Sequence, residues 1–273
     1  MEGLNTPLVS VDWLNSNLNL PNLLVLDGSM KQVNSDSHEE SNIQITNALF
    51  FDIKNTFSNI NGEFPNTVPS VKQFTDEAQK LGINEDSVLI VYDDKGIYSS
   101  ARVWWLFKAF GFTNIAVLDG GLPQWNASNY KTETKKNRAV PKGNFEGKYN
   151  SKYFRFFKDI LEIQDDTSCL ILDARSTTRF KGEIEEPRTG LRSGNIPNSK
   201  NLPYTYLFDG YCLKPKNELK LIFKTLMEQQ DKLIFSCGSG ITACILALAA
   251  DSIGINNLSV YDGSWTEYGS LTT

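Results

Sequence analysis

A cysteine that follows an apolar run is the side chain of this sequence best suited to nucleophilic chemistry. Cys237 comes directly after residues 233–236 (Leu-Ile-Phe-Ser) and before residues 243–250, whose apolar side chains have helical spacing. In the small-residue loop between them, backbone N–H groups can turn towards the sulfur, and the dipole of the following helix favours negative charge there. A thiolate is therefore stabilised without a histidine. The loop consists of Gly238, Ser239, Gly240, Ile241 and Thr242.

Histidine-dependent and metal-dependent chemistry is not expected. The single histidine, His38, lies in a polar, acidic stretch that is typical of a solvated loop without a catalytic role. The four cysteines form no CxxC pair, so we predict neither a zinc site nor a disulfide framework, no metal or cofactor, and a reducing compartment. Three cysteines are interpreted as structural: Cys169, Cys212 and Cys244.

The elements that must position the cysteine loop are alternating strands and helices. Short continuous apolar runs, typical of strands buried on both faces, alternate with segments of helical period. Ser70 is predicted to cap a helix over residues 71–81, which Gly82 ends. The alternation predicts an α/β fold in which mainly parallel sheets are flanked by helices and sites form at the carboxyl ends of strands.

The sequence also contains an internal repeat, in which three short segments recur in the same order. We therefore predict two homologous domains, residues 1–130 and 145–273, joined by a polar linker over 131–144. Asp93 aligns with Cys237, so the nucleophile is expected in the second domain alone. The matching pairs are Asp27 and Asp173, Asp93 and Cys237, and Asp119 and Asp262, at separations of 146, 144 and 143 residues.

Composition excludes several classes of partner. The chain has 273 residues, 40% of them hydrophobic, with 27 basic against 32 acidic side chains and a net charge of -5. Nucleic acid is a poor partner for such a charge balance, which lacks basic clusters. No apolar run approaches the roughly 18 residues of a membrane span, and the N-terminus has no basic region followed by an apolar run. We expect a cytoplasmic protein without a membrane partner.

The loop at Cys237 resembles the active-site loop of the 3-mercaptopyruvate sulfurtransferases, which are tandem-rhodanese enzymes. The resemblance extends over nearly the whole chain, so two tandem rhodanese-like domains are implied. The first of these would be a non-catalytic copy. The matching segments are residues 98–111, 118–122, 173–180, 186–188 and 261–265.

The resemblance implies a two-step transfer of sulfur. Cys237 would attack the sulfur of 3-mercaptopyruvate, form a persulfide and release pyruvate as its enolate. The outer sulfur would then pass to cyanide or to a thiol, such as a reduced thioredoxin-like protein or a low-molecular-weight thiol. The neutral Ser239 favours mercaptopyruvate, because thiosulfate-preferring rhodaneses resemble this pattern with basic residues after the cysteine.

Two arginines match the family positions that would bind the substrate carboxylate, Arg179 and Arg188. A guanidinium can bind a carboxylate through two parallel hydrogen bonds. The alternative is that both are surface arginines that neutralise nearby acidic residues. Those acidic residues are Glu183, Glu185 and Glu186.

One departure from the family concerns a proposed proton relay to the loop serine. Residues 50–52 (Phe-Phe-Asp) are followed by Lys54 instead of an acidic residue, and a His-Met-Leu-Pro segment is replaced by residues 66–69 (Asn-Thr-Val-Pro). That relay cannot operate here. The enolate then takes its proton from solvent, or turnover with mercaptopyruvate is slower, or the preferred donor has changed.

Three other functions could use a cysteine at this position. A thiosulfate sulfurtransferase would use the same cysteine with another donor, and a non-enzymatic persulfide carrier would hold sulfur without turnover. A phosphatase of the Cys-x5-Arg type requires an arginine six residues after Cys237, where this sequence has Ala243, and is rejected.

Overall fold

The computed structural model describes residues 4–31 and 41–273, which form two compact units. The first unit comprises residues 1–60, 68–150 and 210–213, and the second comprises residues 61–67, 151–209 and 214–273. None of the helices within the described ranges combines the length and the apolar character that a membrane span requires.

A five-stranded parallel sheet organises the first unit, in the order β1-β6-β5-β2-β4. Its strands are β1 (Leu8–Val9), β2 (Leu23–Asp27), β4 (Leu49–Phe50), β5 (Val88–Tyr92) and β6 (Ile115–Leu118), and β3 (Ile43–Ile45) pairs separately with β7 (Thr132–Thr134). Its helices are α1 (Val11–Asn17), α2 (Val71–Lys80), α3 (Ser100–Ala109) and α4 (Gly121–Ala127).

The second unit has its own five-stranded parallel sheet, in the order β10-β9-β13-β14-β8. Its strands are β8 (Phe154–Arg155), β9 (Cys169–Asp173), β10 (Lys200–Asn201), β13 (Lys232–Ser236) and β14 (Leu258–Tyr261), together with the short strand β11 (Phe208–Asp209). The short strand β12 (Cys212–Leu213) belongs to residues 210–213 of the first unit. Its helices are α5 (Phe157–Ile163), α6 (Thr177–Phe180), α7 (Lys216–Leu226), α8 (Ala243–Ser252) and α9 (Ser264–Leu271).

The two sheets have the same strand order and the same register at their centres. Asp27 lies opposite Tyr92 in the first sheet, and Asp173 lies opposite Ser236 in the second. The residues that follow Tyr92 and Ser236 are Asp93 and Cys237, the pair that the repeat aligns. The predicted α/β fold, with two parallel sheets flanked by helices, is confirmed.

Helices α3 and α8 start where the central strands β5 and β13 end, after one loop each. Nine of the ten residues of either helix are buried. Burial on all sides follows from their composition, since a helix that is apolar around its circumference cannot face water. The cap predicted for α2 is also present, because Ser70 accepts a hydrogen bond from the Gln73 N–H and Gly82 has a φ of 73°.

Much of the predicted linker over residues 131–144 packs within the first unit. Strand β7 pairs antiparallel with β3, and the Gly143 N–H donates to the Gln79 carbonyl at 2.8 Å. Gly143 lies so close to Ile83 that a Cβ at this position would be 2.0 Å from the Ile83 carbonyl oxygen. The segment is polar in sequence, yet its backbone is bonded to the first unit.

The loop after β5 encloses a buried carboxylate. Asp93 is 0% exposed, and its Oδ2 accepts hydrogen bonds from the N–H groups of Tyr98, Ser99 and Ser100 at 2.7–3.0 Å. The Ser100 hydroxyl donates to the same oxygen, while the Lys95 N–H donates to Oδ1. These groups precede or begin α3, where the helix dipole also favours negative charge. In the first unit, the strand-to-helix loop therefore binds the carboxylate of its own residue Asp93.

Replacing this carboxylate should destabilise the first unit. We expect Asp93→Ala to lower the free energy of opening of α3 by about 3 kcal/mol, because several buried N–H groups lose a charged acceptor. Hydrogen exchange measured by mass spectrometry reports that free energy for each segment. Asp86→Ala removes an exposed aspartate of the same unit and serves as the control. Unchanged protection of α3 in Asp93→Ala would contradict this interpretation of the loop.

Candidate functional site

Cys237 lies at the carboxyl end of β13, immediately before the loop that leads into α8. It is 2% exposed and is the residue that aligns with Asp93 in the repeat. Helix α8 begins after Thr242, whose side chain forms no capping hydrogen bond. The first N–H groups of α8 therefore remain available to an acceptor other than a capping side chain.

A serine at the start of α9 holds the backbone on both sides of the loop. The N–H groups of Cys237 and Gly240 each donate to Ser264 Oγ at 3.1 Å. The Ser264 hydroxyl donates to the Tyr261 carbonyl at 2.9 Å, and its Oγ is 3.9 Å from Cys237 Sγ. The sequence reasoning missed this residue, although the repeat aligns it with a glycine, Gly121.

Other groups of α9 bind the loop carbonyls. The Trp265 N–H donates to the Cys237 carbonyl at 3.0 Å, and the Thr266 N–H donates to the Gly238 carbonyl at 2.9 Å. The Thr266 hydroxyl donates to the same Gly238 carbonyl. With its first carbonyls bound by α9, the loop is held against that helix.

Four N–H groups of the loop have no acceptor among the described residues. Within residues 4–31 and 41–273, no hydrogen bond is donated by the backbone N–H of Gly238, Ser239, Ile241 or Thr242. In the first unit, the counterparts of Ser239 and Thr242 are Lys95 and Tyr98, and the N–H groups of both donate to the Asp93 carboxylate. Buried or half-buried N–H groups require an acceptor, so this loop is suited to a negative charge on or beyond Cys237 Sγ.

Arg179 lies beside the loop and pairs with Glu186. Its Nη2 is 2.6 Å from Glu186 Oε2, and its Nε is 3.2 Å from Oε1. A Cβ built on Gly238 would lie 3.1 Å from Arg179 Nη2, so the guanidinium packs against the loop backbone. Burial lowers the pKa of Arg179, but the Glu186 carboxylate, with a smaller effect from Cys237, holds it above its ordinary value. Arg179 thus neutralises Glu186, as the alternative predicts, and also lies beside the loop, while its binding of a substrate carboxylate stays a prediction.

Arg188 reaches the loop through Thr266. Its Nη1 donates to Thr266 Oγ1 at 3.0 Å, and that hydroxyl donates in turn to the Gly238 carbonyl. The structure therefore brings both predicted arginines to the backbone around Gly238.

A buried charge network, which the sequence reasoning missed, lies behind the arginines. Arg175 is 2% exposed, and its Nε and Nη2 contact Asp173 Oδ2 at 3.0 and 2.6 Å. Its Nη1 donates to Glu186 Oε1 at 2.9 Å, so Glu186 is shared with Arg179. The guanidinium also stacks over the Trp265 ring at 4.7 Å. Carboxylates and guanidinium groups alternate in this network, so each buried charge contacts a charge of opposite sign.

Asn66 contacts the loop from the segment of residues 61–67 in the second unit. Its Nδ2 donates to Ser239 Oγ at 3.0 Å, and both side chains are largely buried. This is the segment in which the sequence departs from the family pattern. The Asn66 amide can orient the Ser239 hydroxyl, but it is neither an acid nor a base near neutral pH and cannot relay a proton.

Two of the other cysteines lie in regular elements of the second unit. Cys244 is buried in the first turn of α8, where its thiol donates to the Gly240 carbonyl. Cys169 begins β9, and burial raises the pKa of its thiol, which disfavours the reactive thiolate. Among the side chains that the structure describes, no cluster of three metal-ligating groups occurs. His38 is outside the described residues.

Both halves of the chain match one known protein family. The Rhodanese-like domain family matches residues 10–128 in the first half and residues 157–271 in the second. The Arabidopsis thaliana mitochondrial thiosulfate/3-mercaptopyruvate sulfurtransferase 1 is 37% identical over 97% of this chain and 76% of its own length. The Escherichia coli 3-mercaptopyruvate sulfurtransferase is 34% identical, covering 97% and 95%.

A solved structure agrees with these sequence matches. The crystal structure of SseA, a 3-mercaptopyruvate sulfurtransferase from Escherichia coli, superposes with a TM-score of 0.85 and 32% identity, over 96% of this chain and 99% of SseA. The family predicted from the cysteine loop is confirmed, as are the two rhodanese-like domains. The chain belongs to the 3-mercaptopyruvate sulfurtransferases, a family of sulfur-transferring enzymes.

Proposed function

We propose that this chain transfers sulfur from 3-mercaptopyruvate to a thiol through a persulfide on Cys237. The supporting observation is the loop that follows this residue, whose N–H groups at Ser239, Ile241 and Thr242 lack an acceptor among the described residues. The equivalent loop of the first domain uses its N–H groups to bind a carboxylate, so this backbone geometry suits an anion. The first domain, residues 1–130, is then a non-catalytic copy with Asp93 in the place of the nucleophile.

The first step forms a sulfur–sulfur bond. The Cys237 thiolate attacks the sulfur of 3-mercaptopyruvate, and the bond between that sulfur and the substrate carbon breaks. The electron pair stays on the carbon, which leaves as the enolate of pyruvate and takes up a proton. The two sulfurs are oxidised to a persulfide while the carbon is reduced, so no external oxidant is required.

The second step returns the enzyme to its thiolate form. An acceptor thiolate attacks the outer sulfur of the persulfide, and Cys237 departs with the electron pair. We propose a low-molecular-weight thiol or a reduced thioredoxin-like protein as this acceptor, with cyanide as a further substrate in the test tube. The free state of Cys169, Cys212, Cys237 and Cys244 is consistent with the cytoplasmic, reducing location that we also propose.

Arg179 and Arg188 are proposed to bind the substrate carboxylate beside the loop. Arg179 packs against Gly238, and Arg188 is tied through Thr266 to the same residue. Both cations therefore lie where the carboxylate of a donor bound at Cys237 can reach them. The ion pair with Glu186 fixes the Arg179 guanidinium beside the loop.

A second donor, thiosulfate, is favoured by one feature of the site. The amide of Asn66 on Ser239 provides no group that can pass a proton to an enolate, whereas sulfite leaves thiosulfate without that need. The Arabidopsis thaliana relatives are named for both donors. The neutral side chain of Ser239 keeps mercaptopyruvate as the preferred donor in our proposal.

Loss of the Cys237 thiol should abolish turnover. We expect Cys237→Ser to reduce pyruvate release from 3-mercaptopyruvate to background, measured by coupled oxidation of NADH by lactate dehydrogenase. Cys169→Ser removes a thiol of the same domain away from the loop and should retain wild-type activity. Pyruvate release at the wild-type rate by Cys237→Ser would refute the proposed nucleophile, and a wild-type protein without turnover would favour a sulfur carrier.

Removal of Arg188 should weaken substrate binding more than chemistry. A charge-assisted hydrogen bond contributes roughly 1.5–3 kcal/mol, so Arg188→Ala is expected to raise KM for 3-mercaptopyruvate by about 10- to 100-fold with a smaller change in kcat. Arg138→Ala removes a surface arginine of the linker segment, which packs within the first unit, and is the control. An unchanged KM in Arg188→Ala would remove this residue from the carboxylate site.

The preferred donor can be decided in one preparation. We expect kcat/KM for 3-mercaptopyruvate to exceed that for thiosulfate, because no basic side chain follows Cys237 in the loop to attract a dianion. Both donors are assayed with the same acceptor and protein batch. Thiosulfate being preferred by tenfold or more would reverse the assignment.

A further inference from the structure

Ser264 has a backbone conformation that serine rarely adopts. Its φ is 52°, in the left-handed region, and the residue is 0% exposed. A side chain with a Cβ is strained there, and such strain persists only where the surrounding structure enforces it.

The first domain has the same conformation but uses a glycine. Gly121 begins α4 as Ser264 begins α9, and its φ is also 52°. A Cβ at Gly121 would lie 2.2 Å from the Gly96 carbonyl oxygen and 2.5 Å from that of Asp93. In the non-catalytic copy, the cysteine-equivalent loop therefore closes over this position, whereas in the second domain a side chain occupies it.

The Ser264 hydroxyl uses its full hydrogen-bonding capacity. It accepts from the N–H groups of Cys237 and Gly240 and donates to the Tyr261 carbonyl. The two accepted bonds come from the residue that carries the sulfur and from the glycine that turns the loop, whose φ is 75°. One side chain thus binds the loop at two points.

We propose that Ser264 is a positioning residue for Cys237, an inference that rests on the proposed function. By binding the N–H groups of Cys237 and Gly240, its hydroxyl holds the loop in the conformation that leaves the intervening and following N–H groups for the sulfur anion. If position 264 were needed only for packing, glycine would be favoured there because it adopts this φ without strain, as Gly121 does in the other copy.

Ser264→Gly separates this role from a structural one. Glycine relieves the backbone strain but leaves the N–H groups of Cys237 and Gly240 without an acceptor, so the two effects oppose each other and the variant should melt near the wild-type temperature. Without the hydroxyl, the loop is released, and we expect the rate of Cys237 alkylation by iodoacetamide at neutral pH to fall by on the order of tenfold. The pH at which that rate is half-maximal should rise, and kcat should fall with little change in KM.

Two further variants complete the test. Ser264→Ala lacks the hydroxyl but keeps the strain, so it should lose alkylation rate like Ser264→Gly while melting at a lower temperature. Ser270→Ala removes a serine hydroxyl from an exposed position of α9 and should leave both rates unchanged.

The outcomes distinguish this inference from the proposed function. Wild-type alkylation rate, pH profile and kcat in Ser264→Gly would overturn the role of Ser264 while leaving sulfur transfer intact. A wild-type protein that releases no pyruvate from 3-mercaptopyruvate would refute the proposed function. The alkylation comparison would still show whether Ser264 positions Cys237.

Discussion

The structure depends on a negative charge held by backbone N–H groups where a central parallel strand turns into a helix. Such a charge is costly to bury unless several donors point at it and an aligned helix dipole supports it. The first domain meets this condition with its own Asp93 carboxylate, which several N–H groups and a hydroxyl bind. The second domain has Cys237 at the same place and an open set of donors. The loop of the first domain therefore shows an anion-bound arrangement, and we propose that the loop of the second domain reaches the same arrangement with sulfur.

The elements around the second loop maintain this condition. Helix α9 binds the loop through Ser264, Trp265 and Thr266, each of which contacts a different backbone group. Behind it, Glu186 joins Arg175 to Arg179, so the cation beside the loop is fixed by a buried carboxylate. Removing one member of such a network leaves a buried charge without a partner. The free-energy cost of that charge is far larger than the net stabilisation that the ion pair provides.

The features predictable from sequence were those encoded locally or repeated. The apolar runs, the helical spacing and the three matching segments were sufficient to predict the two α/β domains, and they also indicated Cys237 as the candidate nucleophile. Arg175 could not be found in this way, because its partner Glu186 is eleven residues away and the loop between them is irregular. Ser264 was missed for another reason. Its role depends on a contact with residues 24 and 27 positions earlier, and only the contrast with Gly121 within the repeat could have indicated it.

Arg179 illustrates how the position of one residue can be compatible with two interpretations that the sequence presents as alternatives. Spacing placed it near three glutamates, and the family resemblance placed it at the substrate. In the structure it pairs with Glu186 and packs against Gly238, so neutralisation on one side orients the guanidinium on the other. Sequence alone cannot decide this, because both contacts depend on the three-dimensional course of residues 176–188.

The central claim is that the loop after β13 holds a sulfur atom as a persulfide on Cys237. The most direct measurement is mass spectrometry of the intact protein and its peptides after incubation with 3-mercaptopyruvate without an acceptor thiol. We predict that the Cys237 peptide gains the mass of one sulfur atom and that this added mass disappears when a thiol is added. An unmodified Cys237 peptide alongside pyruvate release, or added sulfur on Cys169, Cys212 or Cys244 instead, would contradict it.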